Sequence, residues 1–205
     1  MSELQRGADA AWQTLMDDPA TYIDDSRLPH ALGTEIGADL PTRLRGCSRL
    51  TARLSALIAR HEGFPPPIDA TELNEDDRKI ATATADQLSV VVLRAGAIMW
   101  SEVIANAVRG REVAAIQAAL GEELRSFAIG NRMVGGIDKP LEPFETLQQR
   151  IMDDGWQCYA EWCDAIPSAI GVRTRLKMPA AGDTADPAAH PQSKAGPAIL
   201  RLAAA

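Results

Sequence analysis

Aromatic side chains make up only 4% of this 205-residue chain, which leaves little material for base-stacking platforms or a carbohydrate-binding surface. Basic charge is not in excess either. The formal net charge of −7 opposes the long-range attraction to phosphate on which non-specific nucleic-acid binding depends, so no nucleic-acid partner is expected. No hydrophobic run is long enough to span a bilayer: the most apolar stretch, 88–100, falls short of the roughly 20 residues required, and Arg94 interrupts it. Residues 1–9 mix acidic, basic and polar groups without the apolar stretch of a secretory signal, so export by that route is not expected. Cysteine is sparse and odd in number, with Cys47, Cys158 and Cys163. That usage fits reduced thiols better than a disulfide framework and predicts a cytoplasmic protein.

The signatures of catalysis are missing as well. His30, His61 and His190 lie far apart, and none has a second His or Cys at a metal-ligand spacing. Cys158 and Cys163 are five residues apart on a predicted helix, which turns them to different faces and predicts buried structural thiols. There is no G-x-S-x-G or H-E-x-x-H, and Gly33, Gly37, Gly135 and Gly136 fit no phosphate-binding pattern. The expectation is a non-enzymatic protein with no catalytic residue, cofactor or metal.

What remains is an ordinary globular composition, 46% hydrophobic and 24% charged, patterned with a helical period. A first helix is predicted over 4–17, with Ala8, Trp12, Leu15 and Met16 on one face. A second, starting near Asp39 and Pro41, repeats Leu40, Leu44, Cys47, Leu50, Leu54, Leu57 and Ile58 at three- and four-residue steps and stops at Gly63. The prolines at 65–67 predict an extended connector, and Asn74 with Asp77 predicts a new helix start. Residues 86–109 read as one central helix packed on most sides and ended by Gly110, with Arg94 paired to Glu102 or snorkelling. Two shorter helices follow, divided at Gly121, and Gly135-Gly136 opens a loop. A helix entered at Pro143 buries Leu147, Ile151, Cys158, Tyr159 and Trp162, and a last short one covers 168–176.

No segment alternates with a strand period, so the fold class is all-α: one compact helical domain over 1–179 and a flexible Ala/Pro-rich tail over 180–205. Within that tail, Ile199, Leu200 and Leu202 mark one or two helical turns, as a docking peptide or a frayed terminus. Glu75, Asp76 and Asp77 suit the positive end of a helix dipole. Arg45, Arg49 and Arg53 form an i, i+4 ridge, with Arg43 and Arg60 on the same helix. Such a ridge is either a solvated face or a partner-binding surface.

Three further stretches carry a resemblance. They are Leu93-Arg94-Ala95-Gly96-Ala97 running into Trp100-Ser101-Glu102, a segment ending Ala-Ala-Leu-Gly at Gly121, and Gly155-Trp156 through Pro167 to Arg175-Leu176-Lys177-Met178-Pro179. Their order and spacing over residues 28–179 resemble the SctK (YscK- and PscK-like) family of type III secretion sorting-platform accessory proteins. Met178 stands where that family usually has leucine. The resemblance implies a helical adaptor at the cytoplasmic face of the inner membrane, linking the inner-membrane ring protein's cytoplasmic domain (SctD-like) to the pod protein (SctQ-like). It implies no catalytic residue and marks Gly96, Gly121, Trp156, Leu176 and Pro179 as packing and turn positions. The alternative is a helical ligand-binding transcription regulator, which requires a basic helix-turn-helix. The helix over 41–61 is the one candidate for it, and its regular leucines make it a poor one.

Overall fold

The computed structural model describes residues 3–32, 44, 47–136, 139–180 and 195–205. The fold is all-α, and no strand occurs among the described residues. Its helices are α1 (Glu3–Asp17), α2 (Leu28–Ala31), α3 (Ser48–His61), α4 (Glu75–Thr82), α5 (Ala85–Met99), α6 (Ser101–Asn106), α7 (Gly110–Gly130), α8 (Leu147–Ala165), α9 (Ser168–Arg175) and α10 (Gly196–Ala204). The chain divides into two compact units, Met1–Ala85 with Cys163–Thr184, and Asp86–Trp162 with Ala185–Ala205.

In the first unit Trp12, Leu15 and Met16 of α1 are buried as the period predicts, whereas Ala8 is exposed. Asn74 caps α4: its side-chain oxygen accepts from the Asp77 N–H at 2.8 Å, and its amide donates to the Asp77 carboxylate at 2.7 Å. That exchange satisfies a helix-start N–H that has no intrahelical partner, as the sequence anticipates. Ala20, Ile23, Leu28, Ala31, Leu54, Ile58 and Leu176 form one apolar cluster. Arg173 is 3% exposed and makes no direct ion pair among the described residues, although the Asp17 carboxylate is near enough to favour its charge. Its guanidinium instead donates to the carbonyls of Met16 at 3.3 Å and Pro65 at 3.0 Å, and lies 4.6 Å from the Phe64 ring centroid. Carbonyl dipoles and a π-face thus add to the field of Asp17 in supporting this buried cation.

In the second unit the predicted central helix over 86–109 is broken. Trp100 has φ −87° and ψ 2°, which ends α5 and starts α6. No Gly or Pro causes the bend. The Trp100 indole is fully buried, donates to Asp154 at 2.7 Å and lies under the Arg150 guanidinium at 4.8 Å, so its anchoring comes from residues about fifty positions away. Gly110 does not terminate a helix. It opens α7, where the Arg109 N–H donates to the Glu112 carboxylate at 3.3 Å. The division at Gly121 is present, as a left-handed residue (φ 71°) that kinks α7. Arg94 has Phe127 as its partner instead of Glu102: the guanidinium sits 5.3 Å from the ring centroid, while Glu102 accepts from Asn106.

Helices α5 and α8 cross at two glycines. A Cβ on Gly96 would lie 1.9 Å from the Ile151 carbonyl oxygen, and one on Gly155 would lie 2.0 Å from that of Val92. Gly96 faces Ile151 and Val92 faces Gly155, so the helices run antiparallel with backbones in contact over one turn. Leu147, Ile151, Cys158, Tyr159 and Trp162 are buried along α8, as the period predicts.

The C-terminal end differs from the expected flexible segment. Residues 196–204 form α10, with Ile199, Leu200 and Ala203 at 0% exposure. A helix this short is marginal alone. Three apolar residues share its inner face, however, and Gly196 sits so close to Glu161 that a Cβ would meet its carboxylate at 2.0 Å. Residues 196–204 are thus helical and packed, not frayed. Residues 181–194, which complete the expected tail, lie outside the described residues.

Candidate partner-binding surface

α3 carries the arginine ridge. Leu54 and Ile58 point into the first unit's apolar cluster, and Ser55, also buried, accepts the Ala20 N–H at 3.3 Å. The opposite face holds Arg49, Arg53 and Arg60, all exposed, among Ala52, Ala56, Leu50 and Leu57. Leu50 and Leu57, expected in the core, are each 37% exposed and sit at the edge of this outward face. The helix is narrower in its buried stripe than the leucine repeat suggested, because only one side of it meets apolar neighbours. Arg45 lies outside the described residues, as does the predicted helix start at 39–41.

No acidic residue occurs within Ser48–His61. Among the described residues no ion pair engages Arg49, Arg53 or Arg60. A basic face that no described residue neutralises therefore stands on a chain whose net charge is −7. The helix ends on a left-handed glycine, Gly63 (φ 62°), with the Phe64 N–H donating to the Ala59 carbonyl at 3.0 Å. This six-to-one closure, with Arg60 and His61 in the last turn, satisfies the negative end of the helix.

The closing stretch of the resemblance ties the first unit together. Leu176 is 2% exposed within the apolar cluster, and its carbonyl accepts the Asp24 N–H at 2.8 Å. Lys177 Nζ donates to the Ala81 and Ala83 carbonyls at the end of α4, at 2.6 and 2.8 Å, and lies 5.5 Å from the Tyr22 ring centroid. Burial pulls its pKa down to about 8, while proximity to Cys163 acts in the opposite direction. Met178 is fully buried and its carbonyl accepts from Arg27 at 2.5 Å. A methionine fills a leucine-sized site with little loss, which accounts for the departure at this position. Trp156 is half-buried and meets Tyr159 edge-to-face at 5.6 Å. Gly121 is the kink of α7, and Pro179 is half-buried.

Two cavities among the described residues are lined by side chains that could bear chemistry. One, of about 390 Å³ in the first unit, is lined by Thr14, Thr21, Tyr22, Thr82, Thr84 and Lys177 among others. Its amine and its phenol are both committed to backbone carbonyls, Tyr22 donating to Leu15 at 2.9 Å. The other, of about 550 Å³ in the second unit, is bordered by Glu102, Arg109, Arg111, Glu112, Lys139 and Glu142. There Arg111 pairs with Glu142 at 3.0 Å, Arg109 with Glu112 at 3.5 Å, and Lys139 with Asp154 at 2.8 Å. Neither lining includes a histidine or cysteine.

The fold brings His30 and His61 together edge-to-face at 5.2 Å, a juxtaposition the sequence does not reveal. Among the described residues no group of three or more potential ligands forms around a metal position. Cys158 and Cys163 are buried, and burial pushes the Cys158 thiol well above the usual range. Cys163 Sγ lies 3.4 Å from Thr174 Oγ1. No helix among the described residues is long and apolar enough to cross a membrane.

No curated protein and no solved structure matches the chain. One family does, that of YOP proteins translocation protein K (YscK), over residues 10–197. The match begins before and ends beyond the 28–179 stretch of the sequence resemblance, and it reaches into α10. The family is a secretion-system accessory family, not a known enzyme family, which sets aside the transcription-regulator alternative. With the match running through both compact units, the chain belongs to the YscK family and is a type III secretion protein.

Proposed function

We propose that the protein is a non-enzymatic adaptor of the secretion sorting platform, bridging the cytoplasmic domain of the inner-membrane ring protein and the pod protein. It works at the cytoplasmic face of the inner membrane. The family match over residues 10–197 carries this reading. The division of the chain into two units, each with its own apolar cluster, supports it. A bridge needs two separate surfaces, and two separately packed units are a direct way for one chain to supply them.

The basic face of α3, with Arg49 and Arg53 and with Arg45 preceding it, is the proposed contact for one of the two partners. Exposed charges set encounter rate and orientation more than affinity. Reversing Arg45, Arg49 and Arg53 to glutamate is expected to slow association with one partner, change its salt dependence and leave the other partner bound. Purified full-length protein is mixed with each component, and association is followed by surface-immobilised kinetics at low and high salt. Wild-type kinetics of the triple variant toward both partners would remove the ridge from the reading. Failure of the parent protein to capture either component would remove the bridge itself.

A further inference from the structure

The outward face of α3 has an order beyond its charge. Leu50, Arg53, Leu57 and Arg60 follow one another at steps of three, four and three residues, forming a single seam of about 15 Å along the helix. Apolar and basic residues alternate along it. Leu50 and Leu57, each 37% exposed, leave part-covered apolar surface beside Arg53 and Arg60, which have no ion pair among the described residues.

We infer that this seam docks an acidic amphipathic α-helix of a partner protein. Apolar residues of that helix cover Leu50 and Leu57, and its carboxylates meet Arg53 and Arg60. The inference rests on the adaptor reading for the existence of a partner and adds the chemistry of one contact. A helix laid along a three-four seam presents side chains at the same repeat. The partner segment therefore carries an apolar residue, a carboxylate three positions on, an apolar residue four further on and a second carboxylate three after that, or the same series reversed.

Other occupants fit less well. A second copy of this chain docked through the same face would set arginine against arginine. A membrane-surface helix has a broad apolar face flanked by basic residues. Here the order is inverted: Arg49, Arg53 and Arg60 occupy the middle of the exposed arc and both leucines lie to one side.

Ala56 is exposed beside the seam, so benzoyl-phenylalanine at this position reports what lies on it. The full-length chain carrying this crosslinker is produced in cells that assemble the secretion apparatus and irradiated, and the crosslinked segment is sequenced by mass spectrometry. A helical segment with the stated pattern is expected. In the Arg53→Glu/Arg60→Glu background the yield should drop about tenfold, and lysines at the partner's two carboxylates should restore it. Arg132→Glu, on another exposed surface, should leave it unchanged.

A crosslink to lipid, to a second copy or to a segment without the pattern overturns the inference, as does no crosslink in a variant of parental circular dichroism. The two readings fail separately. If both platform components are captured but the crosslink lacks the pattern, only the seam is wrong. If neither is captured and the patterned helix is found, only the bridge is.

Discussion

Alanine at position 96 would place a methyl carbon 1.9 Å from the Ile151 carbonyl oxygen, where ordinary contact needs at least 3.4 Å. The obstacle is backbone, so no rotamer change relieves it, and α5 and α8 must part by roughly 1.5 Å. Separation also opens the second contact, one turn away, where Gly155 meets Val92. Alanine gains about 1 kcal/mol over glycine in a helix interior. Overpacking costs about 1–3 kcal/mol where side chains can adjust, and more where they cannot. The expected net result is a loss of about 2 kcal/mol, which lowers Tm by about 4–8 °C for a chain of this size.

Because one parting of the helices serves both sites, the costs are not additive. Gly155→Ala should cost about half as much in the Gly96→Ala background as it does alone. Urea unfolding followed by circular dichroism and tryptophan fluorescence, over the four members of the cycle, measures this directly. A Gly96→Ala variant as stable as the parent, or more so, would refute the close crossing. Strict additivity would refute its being a single contact.

Asp154 is 3% exposed and holds both the Trp100 indole and the Lys139 ammonium. Asp154→Ala is expected to cost about 3 kcal/mol by removing the acceptor of the buried Trp100 indole and the carboxylate beside Lys139, and Asp154→Asn about half of that because the indole keeps an acceptor. Equal urea midpoints for the two variants would contradict this. Lys177 has a folded pKa of about 8 against an ordinary value of 10.5, so the unfolded chain binds more protons between those values. Stability should therefore rise as pH increases from 8 toward 10, by about 1 kcal/mol after allowance for partial solvent access, and the rise should vanish in Lys177→Met. The same thermal melts at pH 8, 9 and 10 in both proteins check the sign. Tyr22, held protonated by burial, acts oppositely only above its ordinary value of 10.0. Ser101 Oγ is buried without a hydrogen-bond partner among the described residues, so Ser101→Ala should be neutral or stabilising by up to about 1 kcal/mol. A clear loss on calorimetry would reveal a partner for the hydroxyl.

Local signals were legible in the sequence wherever a residue's own chemistry decides the backbone. Asn74 starts α4, Gly63 ends α3, Gly121 kinks α7 and the apolar period of α8 buries Leu147, Ile151 and Trp162, each because capping, a positive φ or an amphipathic period acts within a few residues. The all-α class followed from those periods, and family membership from the order of apolar motifs along the chain. Tertiary contacts decided the rest. Trp100 bends a helix without any breaker beside it, since its indole is held by Asp154 and Arg150. Leu50 and Leu57 keep the same repeat as Leu54 and Ile58, yet they face outward because the apolar cluster meets only one side of α3. The ridge of arginines was visible as a pattern. That it shares one seam with exposed leucines was not, because periodicity states which residues lie together and only packing states which of them are left uncovered.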